Sequence, residues 1–215
     1  MNTVDGWKSD SHVAASGCDV LSDVLRSVRL TGSMLFLVDA RAPWLSWAPQ
    51  ADVIRRVALP SAQHLVSYHI VTQGRCVAGL SGGAQEMFEA GDVLIVPHGD
   101  RYFLADPPGA QASYGPAEAR AFFRSMAAGA MPSVVREGGR GARRTQFICG
   151  FLGCDRSPFN PVLAALPRMV HLRAATATED RMHHLIEFAL CELRERSSGG
   201  QGVLLRAGAV ELAQS

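Results

Sequence analysis

The sequence predicts a mainly β domain, an antiparallel sandwich or barrel, followed by a helical annex. Two observations predict the β part. Short apolar runs recur at close intervals up to about residue 106, and turn residues such as Gln73-Gly74 and Ser81-Gly82-Gly83 separate them. A third predicts the annex: over Glu179 to Arg196, Met182, Leu185, Ile186, Ala189, Leu190 and Leu193 share one face of a helix.

In chain order, Met1 to Gly17 is polar and small and reads as a disordered lead-in. Asp19 to Leu30 reads as a helix, with Val20, Leu21, Val24, Leu25 and Val28 at helical spacing, Asp19 as cap and Gly32 as its stop. Met34 to Val38, Val53 to Leu59, Leu65 to Thr72, Arg75 to Leu80, Gln85 to Phe88, Val93 to Val96 and Tyr102 to Ala105 form the series of short runs. Pro107 to Arg144, rich in Gly, Ala, Pro and Arg and without a steady period, reads as one long loop. Strand character returns over Thr145 to Leu152. Asn160-Pro161 opens a short helix through Leu166, Asn as cap and Pro at the first position. Ser197 to Gly200 is a turn, and Val203 to Ala213 begins a last helix. The expected division is a lead-in (1–17), a β domain with its N-terminal helix (18–155) and a helical annex (156–215).

Hydrophobic residues make up 47% and charged residues 19%, enough apolar material for a core, and the net charge of +1 gives no footprint for nucleic acid or an anionic membrane. The arginines of Arg136 to Arg144 (REGGRGARR) read as a solvated loop ahead of an anion patch. No signal peptide precedes the domain and no apolar run approaches the roughly 18 residues of a membrane span, so the cytoplasm is the expected compartment. In that setting Cys18, Cys76, Cys149, Cys154 and Cys191 are expected as thiols or metal ligands, not disulfides.

The stretch Gly91-Asp92-Val93-Leu94-Ile95-Val96-Pro97-His98-Gly99-Asp100 resembles the second motif of the cupin superfamily, and Tyr68-His69-Ile70-Val71-Thr72-Gln73-Gly74-Arg75-Cys76 resembles the first. Together with DVLSDVLRSVRLTG, Ala42-Pro43-Trp44 and CGFLGCDRSPFNPVLAALPRMVHL, their order resembles the cupin sensor domain of AraC-type transcription regulators over most of residues 19 to 196. The resemblance implies a cupin-like jelly-roll barrel, a small-molecule effector bound inside it, and dimerisation through the annex helix. A helix-turn-helix pair follows the linker in that family; the sequence stops after the linker, so no direct DNA binding is expected of it.

Metal-dependent cupins carry His-x-His in the first motif and a His three residues after the second-motif Gly. Those places hold Ser67 and Tyr102 here, and His69 alone matches. A metal-activated enzyme therefore loses its main support, and no catalytic residue is assigned. Cys149 and Cys154, in C-x4-C spacing, with His69 and His98 from the two motifs, form a candidate closed zinc centre. The plainer alternative makes Cys149 a small core residue, Cys154 a turn residue and the histidines hydrogen-bonded polar groups. His64 reads as a loop residue near the rim, and His171 as one at the edge of the core.

Trp44, Trp47, Tyr68 and Tyr102 are the candidate effector contacts, aromatic groups able to line an apolar pocket. The expected partners are a small-molecule effector and either an identical subunit or a related regulator. Two other readings fit the same residues: a degenerate cupin metalloenzyme acting on a small molecule, and a truncated interaction partner of a full-length regulator.

Overall fold

The computed structural model describes residues 30–128, 130, 134–155 and 161–174. Ten strands and three helices follow one another: β1 (Leu30–Arg41), β2 (Trp44–Ala48), α1 (Ala51–Ala58), β3 (His64–Gln73), β4 (Arg75–Leu80), β5 (Gln85–Glu89), β6 (Val93–Val96), β7 (Tyr102–Asp106), α2 (Pro116–Ala127), β8 (Val134–Gly138), β9 (Arg144–Cys154), α3 (Pro161–Ala165) and β10 (Val170–Leu172). They form a six-stranded sheet, ordered β10-β6-β3-β9-β1-β8, and a four-stranded sheet, ordered β2-β7-β4-β5. No strand is shared, so the expected closed barrel is instead a sandwich of two open sheets.

Strand β9 is the spine of the larger sheet. It runs antiparallel to β1 on one side, from Leu30↔Cys154 to Arg41↔Arg144, and to β3 on the other, from His64↔Cys154 to Gln73↔Gln146. Alternation then fixes what faces the second sheet: Phe36, Val38 and Ala40 from β1, Leu65 and Val71 from β3, Phe147, Cys149 and Phe151 from β9. They pack against Trp44, Cys76, Ala78, Phe88, Tyr102 and Leu104 of the smaller sheet. The opposite face of the larger sheet carries separate apolar clusters, among them Val66, Val93, Ile95 and Leu152.

Several segments differ from the sequence expectation. Val53 to Leu59, expected among the short strand-like runs, lies largely in α1, because Ala51, Ile54 and Ala58 are buried at helical spacing. Asp52 meets Arg55 and Arg56 (2.9 and 2.7 Å) on the solvent side of that helix. The long loop expected over Pro107 to Arg144 contains α2, which buries Ala119 and Phe123, and β8, which adds to β1 in parallel. Arg143 and Arg144 at its end pair with Asp106 and Asp39 (3.0 and 2.7 Å). Gly32, expected as a helix stop, lies inside β1, whose first residue is Leu30. His64, expected in a loop, opens β3 and donates from Nε2 to the Pro97 carbonyl (2.6 Å).

Strand β10 lies beyond residue 155 yet belongs to the sheet, paired to β6 through Val170↔Ile95 and Leu172↔Val93. The lead-in, the rest of the helix expected over Asp19 to Leu30, and the annex helices over Glu179 to Arg196 and Val203 to Ala213 lie outside the described residues. No helix among the described residues is long and apolar enough to cross a membrane.

Candidate functional site between the sheets

The two sheets bring one line of polar side chains together in the core. Ser67 and His69 point inward from β3, Tyr102 from β7 and Cys149 from β9, and all four are buried. His69 Nε2 lies 2.5 Å from Tyr102 Oη and its Nδ1 lies 2.9 Å from Cys149 Sγ; Ser67 hydrogen-bonds to the Tyr102 hydroxyl. The pairing of His69 with Cys149 follows from register, since the two are direct cross-strand neighbours between β3 and β9.

The electrostatics keep every member neutral. Burial pushes His69 down to about 3. Burial raises Tyr102, and the Cys149 position adds to the effect. Burial likewise raises Cys149 well above the usual thiol range. A neutral imidazole carries one N–H. With phenol the strongest donor present, the consistent assignment runs Ser67 O–H to Tyr102 oxygen, Tyr102 O–H to Nε2, and Nδ1–H to the Cys149 sulfur. The Tyr102 and Phe147 rings meet the imidazole edge-on, and Phe147 stacks on Trp44 at 5.5 Å. Trp44 is 1% exposed, and its indole N–H has no acceptor among the described residues.

A second polar group lies toward the rim. Half-buried Glu137, at the end of β8, accepts from the Ser46 hydroxyl and from Tyr114 Oη (3.3 Å). Burial raises it above the usual carboxylate range against the opposing pull of those two hydroxyls. Gly138 beside it has φ +84°, and a Cβ there would stand 2.1 Å from the Arg41 carbonyl oxygen and 2.8 Å from Trp44 Cβ. Only glycine lets β8 end against the β1–β2 corner and deliver Glu137 to Ser46.

The four residues expected to form a zinc centre do not converge. Cys149 and Cys154 are five residues apart on one strand, so they face opposite sides and lie about 16 Å apart along it. Cys154 is a buried strand residue opposite His64, neither a turn residue nor a neighbour of Cys149. His98 is exposed just past β6 and donates from Nε2 to the Leu166 carbonyl (2.9 Å). Among the described residues no three His, Cys, Asp or Glu side chains are grouped to hold a metal ion. The three places where metal-dependent cupins put ligands do meet here, as Ser67, His69 and Tyr102, but a neutral hydroxyl and a neutral phenol beside one imidazole are not a metal donor set.

The four expected effector contacts divide among three places. Trp44 and Tyr102 lie between the sheets. Trp47, three residues after Trp44 on β2, falls on the other face of the smaller sheet with Phe103, and the Arg101 guanidinium lies 4.4 Å from its ring centroid. Tyr68, adjacent to His69, faces outward and covers Gly150, where a Cβ would come within 1.9 Å of the phenol ring. Ser67, Ser46, Tyr114 and Glu137 were not singled out as site residues from sequence. The inward parity of Ser67 with His69 was the one available signal among them. His171 lies in β10, its ring 3.8 Å from that of Phe88, and its two nitrogens face Glu86 and Asp92 (3.0 Å each).

A family profile described as cupin matches residues 19–214. A search of curated proteins returns no match. Among solved structures, the protein YhaK from Escherichia coli aligns over 69% of this chain and 46% of its own, with 10% identity and a TM-score of 0.37. Wild-type ToxT from Vibrio cholerae strain SCE256, crystallised with unsaturated fatty acid bound, aligns over 81% of this chain and 52% of its own, with 6% identity and a TM-score of 0.37. The chain thus spans about half the length of each of these two proteins. From the profile match over nearly its whole length, the chain belongs to the cupin family.

Proposed function

We propose that this chain is the effector-sensing domain of an AraC-type transcription regulator. It binds a small organic effector between its two sheets and catalyses no reaction. It works in the cytoplasm as a homodimer or as a heterodimer with a related regulator. Effector binding shifts the population of two arrangements of domain and annex, which is how a signal would leave the domain. The order of the sequence motifs supports the regulator class, and the cupin match supports a ligand-binding fold.

The observation that carries the reading is the character of the inter-sheet core. It is apolar, with neutral hydrogen-bonding groups at Ser67, His69, Tyr102 and Cys149 and an unpaired indole N–H at Trp44. Such a lining suits recognition of an organic molecule through a few directed hydrogen bonds. An unpaired buried donor costs about 1–3 kcal/mol, a cost that a ligand acceptor would offset. Trp44 and Tyr102 are the effector contacts in this reading.

Thermal denaturation of the full chain against a panel of small alcohols, amides and aromatic compounds tests it. A true effector at a hundred times its Kd raises Tm by about 5–10 °C, and the shift shrinks in Trp44→Phe and Tyr102→Phe. A shift unchanged in both variants removes the inter-sheet site. Turnover of such a compound on addition of iron removes the non-enzymatic reading.

A further inference from the structure

Outside the core, β2, the start of α1, the segment after β7 and the first turns of α2 enclose a cleft of about 610 Å3. That volume falls within the range of small-molecule sites. Its walls are apolar where Pro49 and Val53 face Trp47, and Val53 is one of two large apolar side chains left exposed among the described residues. Two guanidinium groups line it, Arg101 and Arg120, and among the described residues no carboxylate does. Neither arginine forms an ion pair among the described residues; Arg101 lies over Trp47, and Arg120 Nε donates to the Pro116 carbonyl (3.4 Å). The acid of the first turn of α2, Glu118, accepts from the Gly115 N–H (2.6 Å), so its carboxylate is turned to the helix start. Tyr114 also lines it, its hydroxyl committed to Glu137.

The chemistry of this lining is specific. A guanidinium held over an indole ring meets its π face, and the N–H donors directed away from the ring remain available for an anion. An apolar wall beside two such cations matches a molecule with a carboxylate at one end and an apolar body at the other. We propose that this cleft is a second ligand site, which takes a small organic carboxylate, its anion held by Arg101 and Arg120 and its apolar body against Trp47, Pro49 and Val53. This site is separate from the inter-sheet effector site and does not depend on it.

Isothermal titration of the full chain with naphthalene-2-carboxylate, and with the uncharged naphthalene-2-carboxamide of the same shape, tests the proposal. The carboxylate is expected to bind at one equivalent per chain, at least tenfold more tightly than the amide. Arg101→Gln with Arg120→Gln weakens the carboxylate tenfold or more and leaves the amide within about twofold, since charge-assisted hydrogen bonds are the stronger ones. Trp47→Leu weakens both. Tyr102→Phe changes neither, and circular dichroism of each variant checks that the fold is kept. Equal affinity for acid and amide, or no binding of the acid, overturns the proposal. So does carboxylate binding that survives the double arginine variant, or that is lost in Tyr102→Phe, which would move the anion to the core.

Discussion

His69 sits between two groups that are themselves held protonated, with no carboxylate among the described residues in contact to stabilise an imidazolium. Its ordinary value of 6.5 falls to about 3 through burial. Between those values the unfolded chain binds a proton that the folded chain does not, so stability rises with pH across the window. The contribution is fully present above about pH 6.5 and is lost progressively as pH falls toward 3. Proton NMR of the His69 ring is expected to show no midpoint between pH 8 and pH 5, and His69→Gln flattens the dependence of unfolding free energy on pH below 6.5. A midpoint near 6 would place a charge or water beside the ring and undo the neutral chain. At this scale the sequence marked His69, Tyr102 and Cys149 one by one. Their meeting was not legible, because Cys149 reaches His69 through a register 80 residues distant. Motif spacing suggested a common site for Cys149 and Cys154, and strand periodicity places them on opposite faces.

At the scale of elements, strands bounded by glycine turns were legible and the short helices were not. Val53, Ile54 and Val57 are β-branched, which reads as strand, while the helical signal in α1 is only Ala51, Ile54 and Ala58 on one face. In α2 the buried pair Ala119 and Phe123 is too sparse to set a period within an Ala- and Arg-rich stretch. Strand β10 was hidden for another reason: beyond its ladder with β6, it is attached through Asp92, 79 residues before His171 in the chain. Asp92 accepts from Glu89 N–H (3.0 Å), Ala174 N–H (2.9 Å) and His171 Nε2 (3.0 Å). Burial alone would raise this carboxyl, and those three donors together hold it below its ordinary 3.8. Its contribution is therefore full above about pH 4 and is lost as pH falls below that value. Asp92→Asn replaces a charged acceptor by an amide and is expected to cost about 2–3 kcal/mol in urea unfolding. Amide exchange at Val170 to Leu172 should speed up with it. Unchanged exchange there would mean that the β6 pairing alone holds β10.

Across the whole molecule, the sheet order sets where stability is concentrated. Strand β9 is paired on both edges along most of its length, and its Phe147, Ile148, Cys149 and Phe151 are buried. Strand β5 is one of the two outer strands of the four-stranded sheet, and of its residues only Phe88 is buried. Opening β9 requires breaking both neighbouring ladders and the inter-sheet core, whereas β5 can detach by losing one ladder. Hydrogen exchange of the full chain should therefore rank peptides covering Thr145 to Leu152 slowest, at rates tracking global unfolding, and peptides covering Gln85 to Glu89 fastest within the four-stranded sheet. The inter-sheet polar line is anchored on this protected spine, through Cys149 on β9 and His69 on β3, while Tyr102 belongs to the opposite sheet. A ligand bound between the sheets would thus bridge a stable layer and a looser one. Its expected signature is slower exchange in β4, β5 and β7 of the smaller sheet, with little change in β9, which already exchanges only by global opening. Slowing confined to β9 would contradict this, since it would leave the smaller sheet outside the site.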